Sequence, residues 1–307
     1  RYIEAAQNKI TACPVMEIKK IKEQIPDILK AVELHKKLLP KLLVESDKLK
    51  VSDLKYFRYL FKPAVLSTVG GDKIINALRE VKTEQELDLI IKAQRIAEAA
   101  FENVLNFIRP GVSEKEIALE LDFYMLRHGA EALSFDTIAV SGKKSSMPHG
   151  VPDGKLIEKG DFITMDFGAD VDGYHSDMTR TVCVGEPSDR QREIYNIVLS
   201  AQENALKTIK AGVSALEADS AARNIIKNAG YGDFYRHATG HGVGIEIHEG
   251  PVVAGNPKII LKEGNVVTVE PGIYIPDEFG VRIEDMVYVT DDGCINLTKS
   301  PKNLIIC

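Results

Sequence analysis

The feature that most constrains the fold is a series of motifs that occurs twice, in the same order, after residue 83. Gly111-Val-Ser113 returns as Gly212-Val-Ser214, an offset of 101 residues. The stretch from Asp161 to Gly168 is matched by the stretch from Asn265 to Gly272, an offset of 104 residues. Chance similarity between common helix starts is the alternative, but a near-constant offset across helices and strands disfavours it. The sequence therefore predicts a duplicated unit whose halves meet near a pseudo-twofold axis.

Each half is predicted to begin with two helices. Serine or threonine followed three residues later by glutamate or glutamine forms a capping box, which marks a helix start. Such boxes, each followed by an apolar pattern of helical period, begin at Thr83, Ser113, Ser188 and Ser214. The helices are predicted to end near Ile108, Gly129, Lys210 and Gly230. Two helices followed by strands in each half predict an α+β domain over residues 81–307.

Residues 1–80 have a different character, because short apolar runs alternate with helical patterns there. Strands are predicted at Leu42–Val44 and Ala64–Val69. A helix is predicted at Glu17–Lys37, where Pro26 would start, kink or divide it. No chemical motif occurs in this region, which is predicted to be a partial small α/β domain.

The composition excludes several classes of protein. The 44% hydrophobic and 27% charged residues are typical of an ordinary globular protein. A net charge of −6 gives no footprint for nucleic acid, so no nucleic-acid partner is expected. No apolar run approaches the length of a membrane span, and no secretory signal is visible. These features favour a cytoplasmic protein without a membrane partner.

The first half contains two carboxylates that a hairpin could bring together. Phe162–Phe167 is predicted to be a strand that carries Asp166, Gly168–Gly173 a turn, and a return strand through Thr179–Val184 is predicted to carry Asp177. Two close carboxylates repel unless a proton or a cation lies between them. A simple pair of turn aspartates is the alternative interpretation.

The second half offers further residues of the same kind. Glu270 and Glu284 follow or adjoin predicted strands, and glycines on both sides leave room around His241. Together with Asp166 and Asp177 they make four carboxylates and one imidazole, too many anionic oxygens for a structural zinc site. Two divalent cations suit this set, because four negative ligands balance their charge. Each residue alone would be interpreted as a surface or capping residue, but the set predicts a dinuclear metal site.

These motifs resemble those of the pita-bread metallopeptidases, the family of methionine aminopeptidase, aminopeptidase P, prolidase and creatinase. The resemblance extends from about residue 83 to the end of the chain, and residues 1–80 resemble part of the smaller N-terminal domain of prolidases and aminopeptidases P. It implies a pita-bread fold with an internal pseudo-twofold duplication, preceded by a partial small α/β domain. The metal ligands that it implies, of which Asp177 and Glu284 bridge, are Asp166, Asp177, His241, Glu270 and Glu284.

The resemblance also assigns roles to residues around the metal site. Glu270 is expected to accept a proton and pass it towards the leaving nitrogen, and His248 to donate a hydrogen bond to the carbonyl oxygen. His149 and His237 are expected to line the substrate side. The residues expected to support the ligands, with the tyrosine bonded to a ligand carboxylate, are Arg282 and Tyr274.

The implied activity is metal-assisted hydrolysis of the peptide bond preceding proline in short peptides, by an Xaa-Pro dipeptidase or Xaa-Pro aminopeptidase. The implied cofactors are two divalent ions, Mn²⁺ or Co²⁺, with Zn²⁺ and Fe²⁺ as alternatives, and the implied assembly is a homodimer. The alternative functions are a methionine aminopeptidase-type exopeptidase and a catalytically inactive pita-bread binding module. Loss of ligands would mark the inactive class, and all five are present. Many of these relatives carry an arginine where this chain has Val252 and Val253, which weakens the expectation of a strict dipeptide preference.

Overall fold

The computed structural model describes residues 23–26, 30, 41–62 and 64–307. The chain divides into two compact units, residues 1–75 and 76–307. The predicted helix Glu17–Lys37 lies largely outside the described residues, although those of its residues that are described are helical. The predicted division into domains of residues 1–80 and 81–307 stays a prediction.

The first unit contains a parallel pair of short strands joined through a helix. Strands β1 (Lys41–Leu43) and β2 (Val65–Ser67) pair with Leu42 opposite Leu66, and α1 (Val51–Leu60) connects them. Helix α2 (Gly71–Arg79) follows and crosses into the second unit. Parallel strands need a crossover connection, which α1 provides here. Both strands predicted for this region are present, with slightly different ends.

Long helices dominate the described part of the second unit. They are α3 (Glu84–Leu105), α4 (Glu114–Arg127), α5 (Asp189–Thr208) and α6 (Ala215–Asn228). Both reciprocal hydrogen bonds of each predicted capping box form, at Thr83, Ser113, Ser188 and Ser214. The four predicted helices are therefore confirmed, with ends two or three residues earlier than predicted.

Short strands follow each pair of helices. The first half contributes β3 (Ala132–Leu133), β4 (Ile138–Ser141), β5 (Phe162–Phe167), β6 (Ala169–Val171), β7 (Tyr174–His175) and β8 (Met178–Cys183). The second half contributes β9 (Gly240–Gly242), β10 (Glu249–Val253), β11 (Val266–Val269), β12 (Gly272–Ile275), β13 (Phe279–Arg282), β14 (Asp285–Val289) and β15 (Cys294–Asn296). Strand β5 lies between β4 and β8, and β11 lies between β9 and β14, with antiparallel pairing throughout.

The hairpin that follows β5 differs from its prediction. The tight turn is confined to Asp172-Gly173, where both residues have positive φ. Strand β6 lies inside the predicted turn and pairs with β7, which follows that turn. Asp177 lies between β7 and β8 rather than within a continuous return strand. A Cβ atom at Gly168 would lie 1.9 Å from the carbonyl oxygen of Ser176, so glycine is needed for this close backbone crossing.

Equivalent backbone contacts confirm the duplication. The Gly111 amide donates to the Ile157 carbonyl at 2.9 Å, and the Gly212 amide donates to the Leu261 carbonyl at 2.9 Å. In each half, the residue that caps the second helix forms an isolated β-bridge with the segment before the carboxylate-bearing strand. These bridges join Ser113 to Leu156 and Ser214 to Ile260. Each half also has its own apolar core between its helices and strands. The same chain path is therefore present twice, at the offsets read from the sequence.

In the part of the chain that the structure describes, none of the helices combines the length and the apolar character that a bilayer-spanning segment needs.

Candidate metal centre and active site

The residues that the sequence predicts for the site border one cavity of about 360 Å³. Those residues are Asp166, Asp177, His241, Glu270, Glu284, His149, His237, His248, Tyr274 and Arg282. The rest of the lining is Phe135, Asp136, Ile138, Pro148 and Ala238. The structure thus brings together every predicted site residue, from both halves of the duplication, while their individual roles stay predictions.

Strand alternation places Asp166 in this cavity. Successive side chains of a strand point to opposite faces, so Ile163 and Phe167 enter the core of the first half while Asp166 faces the other way. Its Oδ2 accepts a hydrogen bond from Arg282 Nη2 at 2.7 Å. Its Oδ1 is buried and has no hydrogen-bond partner among the described residues. A buried carboxylate oxygen without a partner is costly, and a cation bound to this oxygen would remove that cost.

The candidate ligand atoms of Asp177, His241 and Glu284 lie within 4.8 Å of one another. His241 Nε2 is 3.5 Å from Asp177 Oδ2 and 3.5 Å from Glu270 Oε1. Ligands bound at roughly 2.0–2.2 Å to one ion are separated by roughly 3.0–3.6 Å. The spacing around His241 therefore suits a divalent ion.

The electrostatics of the site also require positive charge. Burial raises the pKa of Glu270 to about 8, with Arg282 opposing the shift and Asp166 adding to it. Burial raises the pKa of Asp177 and Glu284 well above the ordinary range, and the charges of the neighbouring carboxylates add to both shifts. Without a cation, this site would have to hold protons near neutral pH. The donor set fits divalent metal ions, which would supply the compensating charge.

The imidazole of His241 is in the form that a ligand needs. Burial lowers the pKa of His241 to about 4, so the ring is neutral near pH 7. Its Nδ1 is 3.1 Å from the carbonyl oxygen of Gly242, and because a carbonyl only accepts, Nδ1 carries the proton. The lone pair of Nε2 is then directed at the carboxylates.

Two threonine hydroxyls hold the carboxylates of the second half. Thr179 Oγ1 donates to Glu284 Oε2 at 2.7 Å, which connects the two halves. Thr268 Oγ1 lies 3.3 Å from Glu270 Oε1 and accepts the backbone N–H of His241 at 3.0 Å. Neither threonine was selected from the sequence, although each lies two residues from a predicted ligand.

Arg282 links several of these groups. Its nitrogens donate to Thr179 Oγ1 at 3.0 Å, to the Tyr274 hydroxyl at 2.9 Å and to Asp166 Oδ2 at 2.7 Å. The Tyr274 hydroxyl also lies 3.0 Å from His237 Nε2. Its hydrogen bonds thus reach Arg282 and His237, whereas the sequence predicted a bond to a ligand carboxylate. Arg282 supplies that carboxylate contact instead.

The other three predicted histidines, His149, His237 and His248, border the same cavity. The rings of His241 and His248 are 4.4 Å apart between centroids. Burial lowers the pKa of His237 to about 4, so it is neutral near pH 7. His149 follows a 3-10 turn at Gly142–Ser146 and borders the same space. No signal in the sequence indicated Phe135, in the connection from β3 to β4, or Ile138, at the start of β4, because only the path of the chain brings them to the cavity.

A duplicated α+β fold that surrounds buried carboxylates and a neutral imidazole is the arrangement expected of a metal-dependent enzyme. Residues 88–291 match the model of metallopeptidase family M24. The chain belongs to that family. It has the family's pita-bread fold, it is a peptidase, and its activity depends on divalent metal ions.

Several relatives are named for one activity. The chain is 45% identical over 251 residues to the Xaa-Pro dipeptidase of Pyrococcus furiosus, covering 81% of this chain and 68% of that protein. A solved structure of an Xaa-Pro dipeptidase from Bacillus anthracis is 45% identical, with a TM-score of 0.91 over 100% of this chain and 84% of that one. An X-Pro aminopeptidase from Thermotoga maritima is 38% identical, with a TM-score of 0.90 over 100% of this chain and 85% of that one. The predicted family, fold and peptidase class are confirmed.

Proposed function

We propose that this chain is an exopeptidase with two divalent ions that hydrolyses the peptide bond preceding proline. The observation that carries the proposal is the convergence of four carboxylates and His241 on one cavity, in a fold shared with Xaa-Pro peptidases. The proposed ligands are Asp166, Asp177, His241, Glu270 and Glu284. Mn²⁺ or Co²⁺ suits this oxygen-rich set with one imidazole, with Zn²⁺ and Fe²⁺ as alternatives.

Bound divalent ions supply the Lewis acidity that polarises a carbonyl and makes water acidic. Glu270 borders the cavity with 18% of its side chain exposed, and its Oε1 lies 3.5 Å from His241 Nε2. It accepts the proton of the attacking water and passes it to the departing proline nitrogen, which needs a proton to leave as an amine. His248, beside His241, donates a hydrogen bond to the carbonyl oxygen as negative charge develops there.

The substrate side of the cavity is held rigid. His237 contacts Tyr274, Tyr274 contacts Arg282, and Arg282 contacts Asp166, so one chain of hydrogen bonds runs from the substrate side to a proposed ligand. His149 completes this wall. These residues position the substrate amide without needing its N–H, which suits the tertiary amide before proline.

The specificity is tested by comparing kcat/KM for Ala-Pro, Ala-Pro-Ala, Met-Ala and Ala-Ala in the presence of Mn²⁺. We expect both proline peptides to be hydrolysed fastest. Faster hydrolysis of Met-Ala or Ala-Ala would favour the methionine aminopeptidase-type function. Hydrolysis of none, with the metal bound, would favour an inactive binding module.

The metal content is tested by elemental analysis of protein saturated with Mn²⁺ and freed of excess ion. We expect two ions per chain, and fewer than two at saturation would rule out the dinuclear site. The homodimer, the cytoplasmic location and the lack of nucleic-acid partners stay predictions. Light scattering at assay concentration tests the dimer.

A further inference from the structure

A second cavity of about 370 Å³ adjoins the proposed active site. The two cavities share the side chains of Pro148, His149, His237 and Tyr274, so those residues form a ridge between them. Ser146, Asp233, Phe234, Arg236 and Pro276 complete the second cavity. The ridge is on the proposed substrate side, so a peptide whose proline rests on it would extend into this space.

We propose that the second cavity receives the C-terminal end of an Xaa-Pro dipeptide, with Arg236 binding the proline carboxylate. The inference rests on the proposed function, because it concerns the substrate of that same site. It identifies a specificity residue that the sequence analysis did not select.

The charge of an Xaa-Pro dipeptide calls for a positively charged partner in the site. A dipeptide ending in proline carries a carboxylate close to the scissile bond, and a carboxylate leaving water needs a partner. Among the described residues that line either cavity, the guanidinium groups are those of Arg282 and Arg236. Arg282 is only 3% exposed, and each of its three nitrogens already donates within the protein, to Thr179, Tyr274 and Asp166.

Arg236 is in the opposite situation. It is exposed, and its Nε donates to the backbone carbonyl of Asp233 at 2.8 Å, which fixes the base of the guanidinium. Its two terminal nitrogens have no carboxylate partner among the residues that the structure describes. A guanidinium presents paired donors that match a carboxylate.

Asp233 places a negative charge near Arg236. Asp233 lines the same cavity, and its negative charge opposes the binding of a carboxylate there, whereas the positive charge of Arg236 favours it. Removing each charge should therefore change dipeptide hydrolysis in opposite directions. A purely structural role for this turn would instead make both substitutions harmful.

The test compares Ala-Pro with Ala-Pro amide, which lacks only the terminal charge. We expect Arg236→Gln to lower kcat/KM for Ala-Pro about tenfold, the low end for a charged hydrogen bond because the site is exposed. The loss should lie in KM, since the contact exists before and during reaction. Ala-Pro amide should change less than about twofold.

Three further variants complete the design. Arg236→Lys keeps the charge and should restore part of the loss. Asp233→Asn should raise kcat/KM for Ala-Pro. Arg127→Gln makes the same charge change at the exposed end of α4, outside both cavities, and should alter neither substrate.

Equal losses for Ala-Pro and its amide in Arg236→Gln, or no loss for either, would overturn this inference alone. Failure of the wild-type protein to hydrolyse Ala-Pro at all would overturn the proposed function and the inference with it. The two failures are therefore distinguishable in one set of assays.

Discussion

Arg180 and Asp285 form a buried ion pair, with Arg180 Nη2 2.8 Å from Asp285 Oδ1, and the two residues occupy equivalent positions in the two halves. Arg180 lies opposite Met165 and Asp285 lies opposite Val269, and Met165 and Val269 are related by the offset of 104. Arg180 also donates to the carbonyl oxygen of Glu284 at 2.5 Å. The pair therefore joins the strands that follow the two proposed bridging carboxylates.

Replacement of Arg180 by Met should strongly destabilise the protein. Asp285 would lose its main partner inside the protein, and such a loss costs about 3 kcal/mol in the free energy of unfolding. Its contact with Lys302, at 2.9 Å, would remain and limit the cost. Denaturant unfolding of the variant measures the effect.

The matched control is Arg190→Gln, which breaks an exposed pair with Glu278 and should cost less than about 1 kcal/mol. Equal destabilisation by the two substitutions would contradict the structural importance of the Arg180 pair.

Glu270→Gln should abolish turnover with little change in fold stability. The amide keeps the shape of the side chain but cannot accept and return a proton. Turnover, bound metal and thermal unfolding are measured on the same preparation. Turnover within tenfold of wild type, with metal retained, would remove Glu270 from proton transfer.

The pair of Lys82 and Glu249 should control the placement of His248. Lys82 Nζ lies 2.5 Å from Glu249 Oε1, with only 2% and 7% of the side chains exposed. Glu249 directly follows His248 and also accepts the N–H of Glu246 at 3.3 Å. Loss of such a supporting contact typically lowers activity about tenfold or more.

We therefore expect Lys82→Met to lower kcat for Ala-Pro by about tenfold, and Lys82→Arg to retain most of it. A loss of stability without a loss of kcat at a temperature where the variant is folded would show that the pair only supports the fold.

Metal binding should stabilise the protein more at high pH than at low pH. Burial raises the pKa of Glu270 to about 8 from 4.5. Between these values the metal-free folded protein holds a proton that the unfolded chain has lost, so its free energy of unfolding falls as the pH rises. Divalent ions replace that proton. The rise in Tm on adding Mn²⁺ to chelator-treated protein should therefore be larger at pH 8 than at pH 5, and an equal rise would contradict this.

Much of the site could be predicted from the sequence because its signals are local. A capping box such as Thr83 to Glu86 is complete within four residues, and the repeat places Asp166 and Glu270 at matching strand ends. The ligand set followed from these local patterns and from the family resemblance.

The rest depends on contacts between distant segments. The partners of Tyr274 could not be predicted from its spacing to Glu270, because Arg282 lies on the paired strand β13 and donates a hydrogen bond to the Tyr274 hydroxyl. The interruption of the hairpin near Gly168 also could not be predicted, because it depends on the close approach of the Ser176 backbone to Gly168. The ion pair of Arg180 was not predicted either, because its partner Asp285 belongs to the other half and is 105 residues away in the sequence.

The division of the proposed ligands between the two halves also determines when the metal site can be completed during synthesis of the chain. Asp166 and Asp177 are synthesised about a hundred residues before Glu270 and Glu284. A nascent chain can fold the helices and strands of its first half while it still lacks His241 and every later ligand. Hydrolytic capacity therefore arises only after Glu284 has been synthesised, so a nascent chain that has not yet reached this residue cannot act on neighbouring peptides.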